Sequence, residues 1–167
     1  MIAKKICLLG AFSVGKTSLV ERFVSSVFSD RYISTVGVNI KKKGLTLDGE
    51  EISLVLWDME GKDEYGEVNF SYLRGAMGFF LVADGLRRET LDIALQLRER
   101  ALSVAGNVPH LLLLNKSDSM DHWEITPQDV SMAEEQGVTI LHTSAKNDLN
   151  VENAFTSLAQ AMLGGTR

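Results

Sequence analysis

The sequence predicts an α/β domain whose sheet is mostly parallel, with one antiparallel pair at an edge. Three observations predict it. Short apolar runs recur along the 167-residue chain, and each ends at a polar or glycine cluster, as in strands buried on both faces of a parallel sheet. Segments with helical spacing separate these runs. One stretch instead alternates apolar and polar residues and leads into Asp48-Gly49, a dipeptide typical of a tight hairpin. The apolar runs are residues 2–9, 52–57, 78–83, 110–114 and 138–142.

Each element has its own local signal. Residues 2–9 form the first predicted strand, and a helical pattern follows soon after it. Residues 38–47 and 51–57 flank the hairpin turn, so we expect them to pair antiparallel. A later helix is predicted to start with Thr126 as its N-cap and Pro127 as its first residue. Two more helices show apolar faces made by Leu91, Leu95 and Leu102, and by Val151, Phe155, Leu158, Ala159 and Met162.

Composition indicates an ordinary globular protein. Hydrophobic residues make up 45% and charged residues 23% of the chain, so one domain spanning residues 1–167 is expected. The net charge of −5 argues against a nucleic-acid partner held by bulk charge. Cys7 is the single cysteine, which excludes a disulfide within the chain and fits a reducing compartment. Its place in an apolar run predicts a small buried side chain.

The ends of the chain carry no targeting signal that we recognise. No apolar run reaches the roughly 18 residues of a membrane span, and residues 1–5 lack the apolar region of a signal peptide. Residues 164–167 contain no cysteine, so the residues present supply no prenylation signal, although a longer natural tail stays open. A cytoplasmic location without a lipid anchor is therefore expected.

The most informative motif is residues 10–17, Gly-Ala-Phe-Ser-Val-Gly-Lys-Thr, which has the form G-x-x-x-x-G-K-[ST] between a predicted strand and a predicted helix. A glycine-bounded turn there points backbone N–H groups at an anion, and the helix N-terminus adds a partial positive charge. Lys16 can reach terminal phosphates, and the Thr17 hydroxyl can hold Mg²⁺. The residues expected to contact the nucleotide here are Ser13, Val14, Gly15, Lys16, Thr17 and Ser18.

A second motif, Asp58-Met59-Glu60-Gly61, follows the run 52–57. A carboxylate at that strand end can hold Mg²⁺, directly or through water, opposite Thr17. Gly61 lacks a side chain, so its N–H can approach a phosphate closely. The D-x-x-G pattern is weak alone and gains weight after a strand in a chain with a phosphate loop.

Two further motifs follow strands near the C-terminal half and are suited to a base. In residues 115–118, Asn-Lys-Ser-Asp, the Asp118 carboxylate can accept from the ring N–H and the exocyclic amine of guanine. Adenine lacks that donor pair, so the carboxylate would be left unpaired and adenine rejected. Lys116 can lie along the base, and Asn115 can bridge to the phosphate loop. In residues 144–146, the Ala145 N–H can donate to the base carbonyl while Ser144 braces the loop and Lys146 follows.

These four motifs, in this order and each after a strand, resemble the Ras superfamily of small GTPases over nearly the whole chain. Residues 71–76 and 150–155 are similar to Rab sequences in particular. The resemblance implies a P-loop NTPase G domain: a six-stranded mixed sheet with one antiparallel edge strand, flanked on both faces by five main helices. It implies a switch that binds GTP and GDP with Mg²⁺ and hydrolyses GTP.

The resemblance also assigns the switches and partners. Residues 28–38 are similar to switch I, in which Thr35 would bind Mg²⁺ and sense the γ-phosphate and Phe28 would pack against the base. Residues 57–61 are similar to the start of switch II. The metal set would be Thr17, Thr35 and Asp58. An effector at the switches, an exchange factor and an activating protein are implied, for a monomer.

Two departures from the family pattern concern hydrolysis. Lys62 stands where the family usually carries the glutamine that orients water, and a protonated lysine has no acceptor for that water. Phe12 stands where Ras has glycine, and its ring would crowd the space that an arginine finger enters. Slow intrinsic hydrolysis is expected, involving Lys16, Thr35, Gly61 and Lys62. The alternative is that a nearby acid, Glu60, Asp63 or Glu64, positions the water.

Two rival functions stay open. A GTP-binding scaffold with negligible hydrolysis is favoured by the two departures. A P-loop kinase for a small substrate is disfavoured, because no arginine-rich lid is present and residues 115–118 would have no role. Lys41-Lys42-Lys43 is interpreted as a solvated, aggregation-resistant sheet edge, with a contact to an acidic partner as the minor alternative. Ile40, Trp57 and Tyr72 resemble a Rab effector surface and fit a core role equally well.

Overall fold

The computed structural model describes residues 2–26, 28, 38–59 and 68–164. The strands are β1 (Ile2–Gly10), β2 (Val38–Leu47), β3 (Glu50–Met59), β4 (Gly78–Asp84), β5 (His110–Asn115) and β6 (Ile140–His142). The helices are α1 (Lys16–Ser25), α2 (Glu89–Ala105), α3 (Pro127–Glu135) and α4 (Val151–Gly164), with 3₁₀ helices at Phe70–Leu73 and Ser117–His122.

The sheet has six strands in the order β2-β3-β1-β4-β5-β6. Only the β2–β3 pair is antiparallel among the described strands; the other neighbours are parallel. The β2–β3 hairpin turns at Asp48 and Gly49, whose φ values of 50° and 81° are those of a tight hairpin turn. The predicted α/β fold with an antiparallel edge is therefore confirmed. Four of the five apolar runs lie wholly on strands, and of the last run, 138–142, only residues 140–142 form a strand.

Helices cover both faces of the sheet, and the sheet separates the core into two layers. On one face α1 and α4 pack against alternate residues of the strands, and the Phe155 ring stacks on Phe23 with centroids 4.1 Å apart. On the other face α2 and α3 pack with the 3₁₀ helix Phe70–Leu73. Parallel strands buried on both sides need such continuous apolar sequences. Cys7 is fully buried in the second layer, as its sequence context predicted.

The start of α3 follows the expected chemistry. Thr126 Oγ1 accepts from the Asp129 N–H while the Asp129 carboxylate accepts from the Thr126 N–H, a reciprocal capping box before Pro127. Five main helices were expected; the described residues contain four α-helices and two 3₁₀ helices, and residues 60–67 lie outside the description. None of the described helices has both the length and the apolar character that crossing a membrane requires.

The lysine run on β2 lies at the solvated edge of the sheet and also contacts α1. Lys42 is exposed, but the Lys43 ammonium lies 4.3 Å from the centroid of the Phe23 ring and donates to the Phe23 carbonyl. Lys41 lies 4.0 Å from the Glu21 carboxylate. All three lysines therefore keep contact with solvent, and two of them, Lys41 and Lys43, also contact α1.

Candidate functional site

The phosphate loop connects β1 to α1 at the carboxyl edge of the sheet. Gly15 has φ +104°, and a Cβ there would come within 2.2 Å of Asn115 Nδ2, so both conformation and space require glycine. Among the described residues no side chain caps the N-terminus of α1, and its first turn contains no acidic residue. The N-terminus of α1 therefore keeps its partial positive charge, which suits a phosphate.

The Lys16 side chain folds back onto the phosphate loop that precedes it. Its ammonium donates to Ala11 O at 3.0 Å and to Gly10 O at 3.2 Å, and the residue is only 5% exposed. A buried cation surrounded by loop carbonyls marks where phosphate charge would sit. Ser13, Val14 and Gly15 complete the turn that leads into α1, and Ser18 lies in the first turn of α1.

The proposed metal ligands from α1 and β3 meet. Thr17 Oγ1 donates to Asp58 Oδ2 at 2.6 Å, and Asp58 is 1% exposed. A hydroxyl and a buried carboxylate side by side are hard oxygen ligands, which Mg²⁺ takes together with phosphate oxygens. The residues present therefore fit the ion. Thr35, Gly61 and Lys62 lie outside the described residues.

Asn115, at the end of β5, joins the base-binding motifs to the phosphate loop. Its Nδ2 donates to Val14 O at 3.0 Å, and its Oδ1 accepts from Thr143 Oγ1 at 3.2 Å. Oδ1 also accepts from the Ala145 N–H at 3.3 Å. We expected that N–H to be available to a base carbonyl; instead it is already engaged by Asn115, so a base oxygen would have to share or replace a long hydrogen bond.

Asp118 and Ser144 connect the two motifs that would hold the base. Ser144 Oγ donates to Asp118 Oδ1 at 2.7 Å, and it accepts from the Asn147 N–H at 3.0 Å. Partial burial opposes the charge on Asp118, but hydrogen bonds from Ser144, its own backbone and Ser119 outweigh it and hold the carboxyl pKa below its ordinary value. Asp118 is therefore an ionised acceptor at neutral pH.

Arg22 of α1 was missed by sequence reasoning. Its Nε donates to Ala145 O and its Nη2 to Lys146 O, both at 2.8 Å, and its guanidinium lies 6.0 Å from the centroid of the Phe28 ring. Arg22 thus connects α1 with the 144–146 loop and with Phe28. Its contacts are 123 and 124 residues away in the chain, a separation that no local pattern signals.

A second missed residue is Asp84, at the end of β4. Its Oδ2 accepts from Lys116 Nζ at 2.7 Å and from Arg87 Nε at 3.1 Å, and its Oδ1 accepts from the Leu86 N–H at 2.9 Å. The two cations reach onward into the phosphate loop: Arg87 Nη2 donates to Phe12 O at 2.6 Å and Lys116 Nζ to Ser13 O at 3.4 Å. Its position at the carboxyl end of a strand was the available signal.

The three apolar residues that resemble an effector surface, Ile40, Trp57 and Tyr72, differ in how far they are exposed to solvent. Ile40 is 44% exposed. Trp57 and Tyr72 are half-buried, with ring centroids 5.8 Å apart, and pack against the core layer beneath α2. Lys5 places its ammonium 3.7 Å from the Trp57 centroid. The two aromatic rings therefore serve the core while keeping part of their surface in solvent.

Comparison with known sequences decides the family. The model of the Ras family matches residues 5–164. The chain belongs to the Ras family. It is 35% identical over 168 residues to the Ras-related protein Rab-13 of Canis lupus familiaris, covering 98% of this chain and 83% of the relative. Human Ras-related protein Rab-8B is 35% identical over 161 residues, covering 95% and 78%. Ras-related protein Rab-1D of Dictyostelium discoideum is 39% identical over 158 residues, covering 93% and 78%.

The predicted resemblance to the Rab-like branch is therefore confirmed. Ras-family proteins of this kind are small GTPases that bind GTP and GDP, generally with Mg²⁺, and act as switches. Members typically meet effectors, exchange factors and activating proteins. The P-loop NTPase fold class, with its six-stranded mixed sheet, agrees with this family and is confirmed.

Proposed function

We propose that this chain is a guanine-nucleotide switch that hydrolyses GTP slowly and selects guanine through Lys116, Asp118 and Ala145. The observation that supports it most is the contact between motifs that are distant in sequence: Asn115 Nδ2 donates to Val14 O at 3.0 Å, joining the base loop to the phosphate loop. Because the two loops are adjacent, one nucleotide would place its base at the base loop and its phosphates at the phosphate loop.

Positive charge at the phosphate loop supports the proposed binding of the nucleotide's phosphates. The α1 N-terminus and the Lys16 ammonium face the same turn, and together they stabilise negative charge that develops on the transferred phosphoryl group. Thr17 and Asp58 are side by side to hold Mg²⁺, with Thr35 proposed as the further ligand from switch I. When bound, the ion neutralises charge on the β- and γ-phosphates.

Hydrogen-bond pairing supports the proposed selection of guanine as the base. The ionised Asp118 carboxylate presents acceptor oxygens, and guanine offers two donors on one edge. An adenine base would leave a polar group of the pair without its hydrogen bond, which weakens its binding relative to guanine. Phe28 beside Arg22 and Lys116 beside Asp84 are proposed to flank the base.

The rate of hydrolysis depends on Phe12 and Lys62. Arg87 holds the Phe12 carbonyl at 2.6 Å, so the backbone carrying the benzyl group is fixed at the tip of the phosphate loop. Lys62 offers no acceptor to the attacking water. We propose that both slow the reaction, and that the Phe12 ring hinders an arginine finger supplied in trans, an aid worth about 10³–10⁵ in rate in related enzymes.

Single-turnover hydrolysis of protein-bound GTP with Mg²⁺ tests this proposal. The wild type is compared with Phe12→Gly and Lys62→Gln, and Lys42→Gln is the matched control because Lys42 is exposed on β2, the edge strand. We expect slow turnover in the wild type and in the control, and faster turnover in at least one of the other two variants. Fast wild-type turnover refutes the slow-enzyme proposal.

The same two residues favour a second candidate, a scaffold that holds GTP with negligible hydrolysis and presents its switches to an effector. GTP that stays intact on the wild type and on both variants supports the scaffold. We propose further that the chain acts as a monomer in the cytoplasm, with exchange and activating proteins that recognise the switches.

A further inference from the structure

Trp123 lies against the backbone of the base-binding loop. Its Nε1–H donates to Lys116 O at 2.9 Å. Lys116 has φ +74°, a left-handed conformation that a lysine rarely adopts, so the loop needs contacts that hold it there. The Lys116 side chain is held by Asp84, and the Lys116 carbonyl is held by Trp123.

The Trp123 ring packs against two residues from other parts of the fold, His142 and Gly85. The ring stacks on His142, at the end of β6, with centroids 5.5 Å apart and planes within 7°. It also lies on Gly85, because a Cβ at that glycine would come within 2.0 Å of the indole Cε2. Any larger residue at position 85 would have to displace the ring.

The segment that carries Trp123 is fixed independently of the ring. The Glu124 N–H donates to Gly85 O at 2.9 Å and the Ile125 N–H at 3.2 Å. Ile125 is buried in the core layer beneath α2. The indole can therefore be altered while its backbone stays attached to the β4–α2 turn.

We propose that Trp123 is a positioning residue for guanine recognition: seated on Gly85 and His142, it fixes Lys116 in its left-handed conformation and so sets the direction of Asp118. This inference rests on the proposed guanine-binding function and adds a specificity role outside the four motifs. Trp123 acts through Lys116 and does not itself touch the base in this account.

The test uses Trp123→Phe, Trp123→Ala and Gly85→Ala in the full chain, with release of fluorescent GDP as the first readout. Trp123→Phe keeps a ring but loses the donor, and we expect release about fivefold faster. Gly85→Ala keeps the tryptophan but displaces it, and the same direction and size are expected. In a Trp123→Ala background, Gly85→Ala is expected to change the rate less than about twofold, because nothing remains to be displaced.

The second readout separates positioning from a general loss of stability. Inosine diphosphate lacks the exocyclic amine that Asp118 accepts from, so the ratio of GDP to inosine diphosphate affinity reports the direction of Asp118. We expect Trp123→Phe and Gly85→Ala to lower that ratio at least about threefold. A merely structural role would weaken both ligands equally and leave the ratio unchanged, which overturns the proposal.

The outcomes distinguish this inference from the proposed function. A wild type that does not bind GDP refutes the proposed function, and the inference falls with it. A wild type that binds GDP, with variants that release it at the wild-type rate, refutes the positioning role alone. Equal effects of Gly85→Ala with and without Trp123 also refute it, since displacement of the ring would then not be the cause.

Discussion

Replacing Asp84 by asparagine separates two cations from the acid that joins them. The carboxylate is 2% exposed and accepts from Lys116, Arg87 and the Leu86 N–H. The asparagine side chain in Asp84→Asn would keep an acceptor oxygen but would turn an amide N–H₂ toward a cation. The link from β4 to the phosphate-loop carbonyl of Phe12 depends on this acid through Arg87.

The size of the effect follows from the number of bonds and their exposure. The Lys116 and Arg87 side chains are 35% and 36% exposed, so both cations can be rehydrated once the acid is neutral. Each lost hydrogen bond is worth about 0.5–1.5 kcal/mol net. We therefore expect the free energy of unfolding to fall by about 2 kcal/mol, which lowers the melting temperature by about 4–8 °C for a chain of this size.

Urea denaturation of the wild type and Asp84→Asn, with and without GDP, measures this change. The matched control is Asp92→Asn, because Asp92 pairs with Arg88 at 3.1 Å with both side chains about half exposed. We expect the control to change the free energy of unfolding by less than about 0.5 kcal/mol. An Asp84→Asn effect as small as that of the control would refute the view that Asp84 organises the loops.

Three further predictions concern the core, a half-buried histidine and a helix cap. Phe155→Ala should cost about 3–5 kcal/mol of unfolding free energy by chemical denaturation, because the ring is fully buried between Phe23 and the sheet. Burial lowers the pKa of His110, with Val108 opposing and Arg98 adding, so the folded state binds fewer protons; stability is complete above pH 6.5 and falls as the pH drops below it. His110→Gln should flatten that dependence in pH-jump denaturation, whereas His122→Gln, at an exposed site, should not. Thr126→Ala should cost about 0.5–2 kcal/mol, measured by thermal unfolding, by removing one half of the capping box.

Local sequence patterns predicted the strands and the hairpin because burial on both faces demands continuous apolar residues. The predicted start of the last run, residue 138, is two residues too early. Val138 is buried but β6 begins at Ile140, and Gly137, with φ +90°, lies in the turn that follows α3. A buried apolar residue beside a strand carries the same composition signal as one inside it.

The motif residues were predictable, but the residues that support them were not. Lys116 could be singled out from its motif, whereas its partner Asp84 lies 32 residues earlier and its carbonyl partner Trp123 seven residues later. Arg22 meets the 144–146 loop from the other end of the chain. Such contacts are set by which strand ends lie together in the sheet, and a single sequence does not show that directly.

The central claim is guanine selection at Asp118, and equilibrium binding of GDP and ADP with Mg²⁺ tests it most directly. The wild type is compared with Asp118→Asn, which keeps the side-chain shape but loses one acceptor oxygen and the charge. The account predicts that the wild type binds GDP at least about 10³-fold more tightly than ADP, and that Asp118→Asn loses most of this preference. Equal or tighter binding of ADP by the wild type would contradict the account.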